Sequence, residues 1–288
     1  MTADLEALVV AAYVFADEYP VAARLGRPAK ISDAELVALA VCQAAMGISS
    51  DRQFLGLVEQ ILPGWFPHLP EQSQYNRRLR ALVELIAAVQ QRVAGFIDSG
   101  DVRLADGTLI GCANYPGCAA RSEFAGFARY GYAKSQHRFV WGVRLVLVTD
   151  PRGVPLGYTL VPAGEKEYEP LADLLCGVPA QTVIADKGLW GRAYRARLAA
   201  DGVELHTPAK KRTPANKLGE RRLASVRLAI ESVFSNLKGQ MRLAQHLAKT
   251  PPGLAVRIAQ RLLALTLGIL LNTLNGRPAR ALAAYDGR

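Results

Sequence analysis

The stretch from His137 to Val161 reads HRFVWGVRLVLVTDPRGVPLGYTLV, and its pattern decides the fold class. His137 to Thr149 is dense in valine and aromatic residues. Asp150-Pro-Arg-Gly153 has turn composition, and Val154 to Val161 is a second strand candidate. The segment therefore predicts a β-hairpin. Working outward, Val102-Arg-Leu-Ala-Asp106 and Thr182-Val-Ile-Ala-Asp186 are short strand candidates, each ending on an aspartate, and Val203 to Thr207 is another. Glu165 to Cys176, Gly191 to Ala200 and Arg222 to Leu243 carry helical patterns. The order from 101 to 243 is β-β-β-α-β-α-β-α, which predicts an α/β fold with a mixed sheet covered on both faces.

The flanks differ in texture. Residues 1–98 read as all helical. Ser32-Asp-Ala-Glu35 and Ser50-Asp-Arg-Gln53 are capping boxes, and one long helix is expected from Ser73 to Phe96. Arg77, Arg78 and Arg80 fall in its first two turns, where cations oppose the macrodipole; they either meet phosphates or line a solvated face. Pro251-Pro252 precedes a last helix, Leu254 to Leu274. Its longest apolar run, Leu262 to Leu271, is too short to span a bilayer and follows Arg257 and Arg261, so a buried C-terminal helix is expected and no membrane. The expected divisions are a helical region over 1–98, a catalytic domain over 99–250, and a C-terminal helix and tail over 251–288. Asp4 and Glu6 stand where a signal peptide would be basic.

Charge is unevenly spread. The 288-residue chain has a formal net charge of +10. Residues 1–100 hold 8 Lys and Arg against 11 Asp and Glu, whereas residues 187–261 hold 16 against 4. A local basic excess of this size is the footprint expected of a nucleic-acid binder. Cys42, Cys112, Cys118 and Cys176 form no CxxC pair and read as reduced thiols of a cytosolic protein. His68, His137, His206 and His246 show no metal-ligand spacing. Asp150 suits its turn. Glu165, Glu167 and Glu169 open a helix, where carboxylates favour the dipole, and are not read as catalytic.

Three acids stand out. Asp106 and Asp186 end apolar strand candidates, which places them at the sheet's rim, where open α/β sheets bind ligands. Glu231 lies in a helix beside the apolar positions Ile230, Val233, Phe234 and Leu237. Arg227 and Lys238 share its helix face at intervals of four and seven residues. An acid between two cations can hold a divalent metal while the cations hold phosphates; an ordinary i, i+4 ion pair gives the same spacing.

Order and context together make the chain resemble the DDE transposases of bacterial insertion sequences, a group with an RNase H-like catalytic core. The resemblance covers about residues 70 to 260. In that family the first Asp lies on the first strand, the second on the fourth, and the Glu in a helix after the fifth. Asp186-Lys-Gly188-Leu-Trp190 is similar to the element around the second acid, and Arg227, Glu231 and Lys238 match the Arg, Glu and Lys of the third. Gly131-Tyr-Ala-Lys-Ser135, Leu205-His-Thr-Pro208 and Ser73-Gln-Tyr-Asn-Arg-Arg-Leu79 are also similar. The chain departs from the pattern at Ala224, where the third element carries Tyr, and at Leu189, where an aromatic is usual. It has Gly164-Glu-Lys-Glu167 where relatives often carry a His-Asp pair.

The resemblance implies a five-stranded RNase H-like sheet and two Mg²⁺ (or Mn²⁺) ions held by Asp106, Asp186 and Glu231. Those ions would serve cleavage at transposon ends and strand transfer to a target. It implies DNA partners, namely terminal inverted repeats and target, and a working complex of two or more copies in the cytoplasm on the nucleoid. Arg227 and Lys238 would clamp phosphates. Lys187 neutralises a phosphate or is simply solvated. Lys210, Lys211 and Arg212 would track the DNA backbone. Lys134 lies in a basic block from Arg121 to Arg144 that is interleaved with Tyr130 and Tyr132, a mixture that holds phosphates and stacks on an unpaired base, or packs the hairpin. The helical N-terminal region would bind the repeats or form the dimer. Two other readings share these residues: a nuclease or resolvase that cuts without joining, and a DNA-binding derivative without catalysis.

Overall fold

Five helices begin the chain: α1 (Ala3–Asp17), α2 (Asp33–Ala45), α3 (Asp51–Ile61), α4 (Gln72–Ala81) and α5 (Val83–Ala94). They are seen in a computed structural model that describes residues 3–20, 29–113, 116–133, 137–176, 181–189, 191–208 and 217–287, without the side chains of 116–118, 187 and 217–226. Of the two expected capping boxes the first closes, and the second is seen as its serine half. Ser32 Oγ accepts the Glu35 N–H at 3.0 Å while Glu35 accepts the Ser32 N–H at 2.6 Å, which closes the box. Ser50 Oγ accepts the Gln53 N–H at 3.3 Å. The single helix expected from Ser73 to Phe96 is instead two. Leu82 leaves helical geometry at φ −99°, ψ 8° and separates α4 from α5. Periodicity misses the break because the buried positions Tyr75, Leu79, Leu82, Ile86, Val89 and Val93 keep helical spacing across it. Arg78 is not free for phosphate: it donates to Ile31 O at 2.8 Å and pairs with Asp33 at 2.7 Å, whereas Arg77 and Arg80 are exposed.

The second compact unit, Asp98–Phe234, holds the sheet. Its elements are β1 (Val102–Gly111), β2 (Arg129–Ala133), β3 (Arg138–Thr149), β4 (Pro155–Pro162), α6 (Tyr168–Leu175), β5 (Gln181–Ala185), α7 (Arg192–Ala200), β6 (Val203–His206) and α8 (Lys217–Lys238), the last continuing past the unit's end. β3 pairs antiparallel with β1 and with β4, while β1–β5 and β5–β6 are parallel. The expected mixed sheet is therefore present, in the order β4-β3-β1-β5-β6. A sixth strand, β2, was not expected; it pairs with Arg138–Gly142, beyond the stretch paired with β4. The hairpin turn forms as read, with Asp150 Oδ1 accepting the Val154 N–H at 2.7 Å. One sheet face carries Ala105, Val146, Val148, Val183, Ala185, Val203 and Leu205, and these pack in one core with Leu171, Ala172 and Leu175 of α6 and Leu198 of α7. Strand alternation sends Asp106 and Asp186 to the other face.

The last helix, α9 (Pro251–Leu274), belongs with the first five in the other unit, Met1–Ile97 with Ser235–Arg288. It packs on α5, α2, α1 and α4. Thr250 caps it, accepting the Gly253 N–H at 3.2 Å. Its 24 residues are long and apolar enough to cross a bilayer, but 89% of its most apolar window is buried within the protein, as a core helix should be. Arg257 and Arg261 are buried in it. Arg257 pairs with Asp51 at 2.5 Å, and Asp51 also accepts from Gln43 at 2.9 Å and Asn76 at 3.1 Å. Tyr75 donates to Gln43 Oε1 at 3.0 Å, which completes a polar network inside an apolar helical core. Arg261 donates to the Met241 and Arg257 carbonyls at 2.7 and 2.8 Å. Burial first, then the charge of Arg257, pushes its pKa down to about 9.

Removing one partner of a buried pair strands the other charge. Asp51→Ala should therefore destabilise this unit by roughly 3–5 kcal/mol, read as a lower urea midpoint. A loss under about 1 kcal/mol would mean that water reaches Arg257.

Candidate functional site

Asp106 does not end its strand, as the sequence reading had it: β1 runs on through it to Gly111. The apolar run stops at Ala105, but the backbone stays paired, with Asp106 opposite Leu147 of β3. Asp186 does follow the last residue of β5. Ala105 pairs with Ala185 in the parallel register, so Asp106 and Asp186 come next in line on neighbouring strands and on one face. Counting only the strands of the expected core, they lie on the first and the fourth, and Glu231 lies on α8 after the fifth.

α8 brings the third acid. Ile230, Val233 and Phe234 are buried, whereas Glu231 is 53% exposed at the edge of that apolar stripe. Arg227, one turn earlier, sits 3.2 Å from Asp186 and 3.7 Å from Glu231. The i, i+4 pair is thus real, and it also reaches the sheet. Arg227 bridges two of the three acids, so they are joined through a cation and do not converge on a common point. Among the described residues, no three His, Cys, Asp or Glu side chains are placed to hold a metal ion as they stand.

Asp106 is the electrostatically strained member. Burial pushes its pKa up to about 6; the Gly107 N–H, donating to Oδ1 at 2.8 Å, and Arg227 oppose this, while the charges of Glu167 and Asp186 add to it.

Glu167 is the residue that sequence reasoning passed over. It stands at the N-cap of α6 and pairs with Arg144 of β3 at 2.5 Å; Arg144 also donates to Ala163 O at 3.2 Å. The pair lies on the back of the strand that carries Asp106. A Cβ at Gly107 would fall 2.5 Å from Glu167 Oε1 and 3.2 Å from Arg144 Cδ. Two local signals pointed here: an arginine inside an apolar strand needs a partner, and a glycine after Asp106 admits a close neighbour. Of the other two glutamates, Glu169 pairs with Arg197 on the surface at 2.6 Å. Tyr168 also supports the site. Its hydroxyl donates to Gly188 O at 2.8 Å, which ties down the turn after Asp186, and its ring meets Tyr194 edge-on at 4.8 Å.

The expected cations are placed unevenly. Lys187 opens the short turn Lys187–Leu189 directly after Asp186. Lys238 is the last residue of α8 and falls in the other unit. Lys134, Lys210, Lys211 and Arg212 lie outside the described residues. Part of the basic excess over 187–261 is not surface charge, because Arg257 and Arg261 are core residues. Cys42, Cys112 and Cys176 are free thiols.

Two measurements check this account. In the folded, metal-free protein the raised Asp106 pKa favours the protonated form. Its contribution is therefore most stabilising below the unfolded value near 3.8 and is lost as pH rises through about 6. Asp106→Asn should stabilise the protein in EDTA at pH 7.5 by on the order of 1–2 kcal/mol, allowing for partial exposure, with the gain fading between pH 6 and 4. An equal or lower stability at pH 7.5 would contradict the burial argument. Separately, Gly107→Ala should cost about 1–3 kcal/mol through overpacking. In a Glu167→Ala background that cost should largely vanish, and a cycle with no coupling would mean that the two do not press on each other.

Comparison with curated proteins returns no match. A family model described as a transposase DDE domain matches residues 91–267, a span that takes in Asp106, Asp186, Glu231 and every strand of the sheet. With more than half of its length matched, and with the mixed sheet that such a core requires, the chain belongs to the DDE transposase family.

Proposed function

We propose that this protein is the DNA transposase of an insertion sequence, cutting at transposon ends and joining them to a target through Asp106, Asp186 and Glu231. The observation that carries the proposal is the placement of Asp106 and Asp186 side by side on one sheet face, with Arg227 linking Asp186 to Glu231.

The donor set fits Mg²⁺ or Mn²⁺ in kind. It is all carboxylate oxygen, and the half-buried Asp106 carboxylate has its own neighbour's N–H as hydrogen-bond donor and two further negative charges, Glu167 and Asp186, nearby. A pair of such ions, when bound, supplies an activated water or 3′-hydroxyl and stabilises the leaving oxygen of a phosphodiester. The chain's own part is positional. β1 and β5 hold the two aspartates at fixed register, and the Arg144–Glu167 pair backs the strand beneath Asp106. Arg227, on releasing the acids, is placed to take a phosphate oxygen with a fork of donors. Lys187 and Lys238 extend the phosphate contacts, and Lys134, Lys210, Lys211 and Arg212 follow the DNA backbone. The helical N-terminal region binds terminal repeats or joins two copies, in the cytoplasm on the nucleoid.

The test is cleavage and strand transfer on a linear duplex bearing the element's own ends, with Mg²⁺ or EDTA, for wild type and Asp186→Asn. Metal-dependent nicks at the ends and joined products, both reduced at least 10³-fold in the variant, are expected. Cleavage without joining would point to a nuclease, and tight DNA binding without metal-dependent products would point to a binding protein.

A further inference from the structure

Arg227 holds its two acids more loosely than the other arginines of the sheet unit hold theirs. A single nitrogen, Nη2, makes both contacts, at 3.2 Å to Asp186 Oδ1 and 3.7 Å to Glu231 Oε1. Arg144 meets Glu167 at 2.5 Å and Arg197 meets Glu169 at 2.6 Å. Exposure does not account for the difference. The Arg197–Glu169 pair is open to water, at 50% and 69%, whereas Arg227 is 24% exposed. What sets Arg227 apart is that two carboxylates share it, while its charge also favours the ionised form of the third, Asp106. A charge-assisted bond closes to about 2.7–2.9 Å when its geometry is free, so neither acid has Arg227 to itself.

A counter-ion held this way is exchangeable. Asp186 is 39% exposed and Glu231 53%, so both carboxylates are open to an ion from solution. A divalent cation on these oxygens needs the lone pairs that Arg227 uses and repels the guanidinium, so the two compete. The guanidinium has a second partner available, because a phosphate offers oxygens that match its fork of donors. It cannot serve both fully at once. Whatever draws Arg227 away leaves Asp186 and Glu231 with unmet negative charge.

We infer that Arg227 is an exchangeable counter-ion that couples the two ligands of this site: a DNA phosphate draws it off Asp186 and Glu231 and so favours a divalent cation there, and the cation, by displacing it, favours the phosphate. This rests on the reading of DNA as substrate. The coupling is reciprocal, so each ligand tightens the other by the same factor. Its consequence is a site that takes up metal weakly until DNA is bound.

The test reads Mn²⁺ binding by electron paramagnetic resonance, so that no turnover is required. Full-length protein is titrated alone and with a pre-cut end duplex carrying a dideoxy 3′ terminus, which can be bound but not joined. Without DNA, Arg227→Gln should bind Mn²⁺ about fivefold more tightly than wild type, a factor in keeping with the loss of partly exposed ion pairs. Arg227→Met, which keeps the stem without the charge, should do the same, and Arg227→Lys should stay near wild type. DNA should raise the wild-type affinity about tenfold, within the usual range for coupled sites. It should raise that of Arg227→Gln clearly less, because only the duplex's own charge then attracts the ion. Unchanged or weaker Mn²⁺ binding by Arg227→Gln and Arg227→Met without DNA overturns the inference, because Arg227 would then hold Glu231 in place rather than compete for it. An equal gain from DNA in wild type and Arg227→Gln overturns it as well. A protein that shows the Arg227-dependent coupling to DNA yet never cleaves or joins it fails as a transposase and keeps the coupling. One that cleaves and joins, but whose Arg227→Gln form binds Mn²⁺ no more tightly, does the reverse.

Discussion

The parallel pairing of β1 with β5 is the constraint on which the rest of the sheet unit depends. Residues 101 and 182 are far apart in sequence, and a parallel pair cannot be closed by a turn; the chain must cross over through β3, β4 and α6 before β5 can dock. Once Ala105 lies beside Ala185, the next residue on each strand is an aspartate, and both face the same way. Two carboxylates on adjacent strands repel, and burial of Asp106 sharpens the repulsion. The fold therefore creates a demand for positive charge at one point on one face. In this structure Arg227 meets it, reaching Asp186 from α8 and carrying Glu231 along one turn further on.

The helical unit handles buried charge in the opposite way. Asp51 is surrounded by donors from Gln43, Asn76 and Arg257, and each of these is held by a further partner or by its helix. Such a carboxylate is fully compensated and has nothing left to bind. Asp106 accepts from its neighbour's backbone and has the charge of Arg227 in its favour, but burial and the charges of Glu167 and Asp186 outweigh both. The contrast separates a structural charge from a poised one without appeal to position in the sequence. It also explains why Arg257 and Arg261, counted by composition among the basic residues of 187–261, contribute nothing to its surface.

Much of this was legible from local pattern. Hairpin, strand and helix candidates between 101 and 243 appear close to their expected places because alternation and turn chemistry are local properties, except that the helix expected over 222–243 forms over Lys217–Lys238. The two capping serines form their bonds for the same reason. What pattern could not show was anything set by a distant partner. Asp106 lies in mid-strand because β3 continues to pair with β1 beyond the apolar residues. β2 is a strand because Arg138–Gly142 offers it an edge, not because Arg129–Ala133 is apolar. Leu82 breaks a helix whose periodicity never falters. Glu167 read as a helix-start acid, and only the third dimension shows it against Gly107.

Those long-range terms also tie the sheet's back to its front. α6 packs on the face that carries Ala105 and Ala185, and Glu167 and Tyr168 stand at its beginning. Glu167 presses on β1 behind Asp106, while Tyr168 holds the turn behind Asp186 through Gly188. One helix start thus touches both acid-bearing strands from the side opposite the acids. Because Glu167 occupies the space that a side chain at Gly107 would need and Tyr168 bonds a backbone carbonyl, neither contact involves an acid side chain of the pair. The geometry of the pair is consequently a property of the sheet and α6 together, and it exists before any substrate arrives. What remains adjustable is on the front: Arg227 and the exposed Glu231 sit on one helix face, so any movement of α8 changes both the third acid and its counter-ion at once.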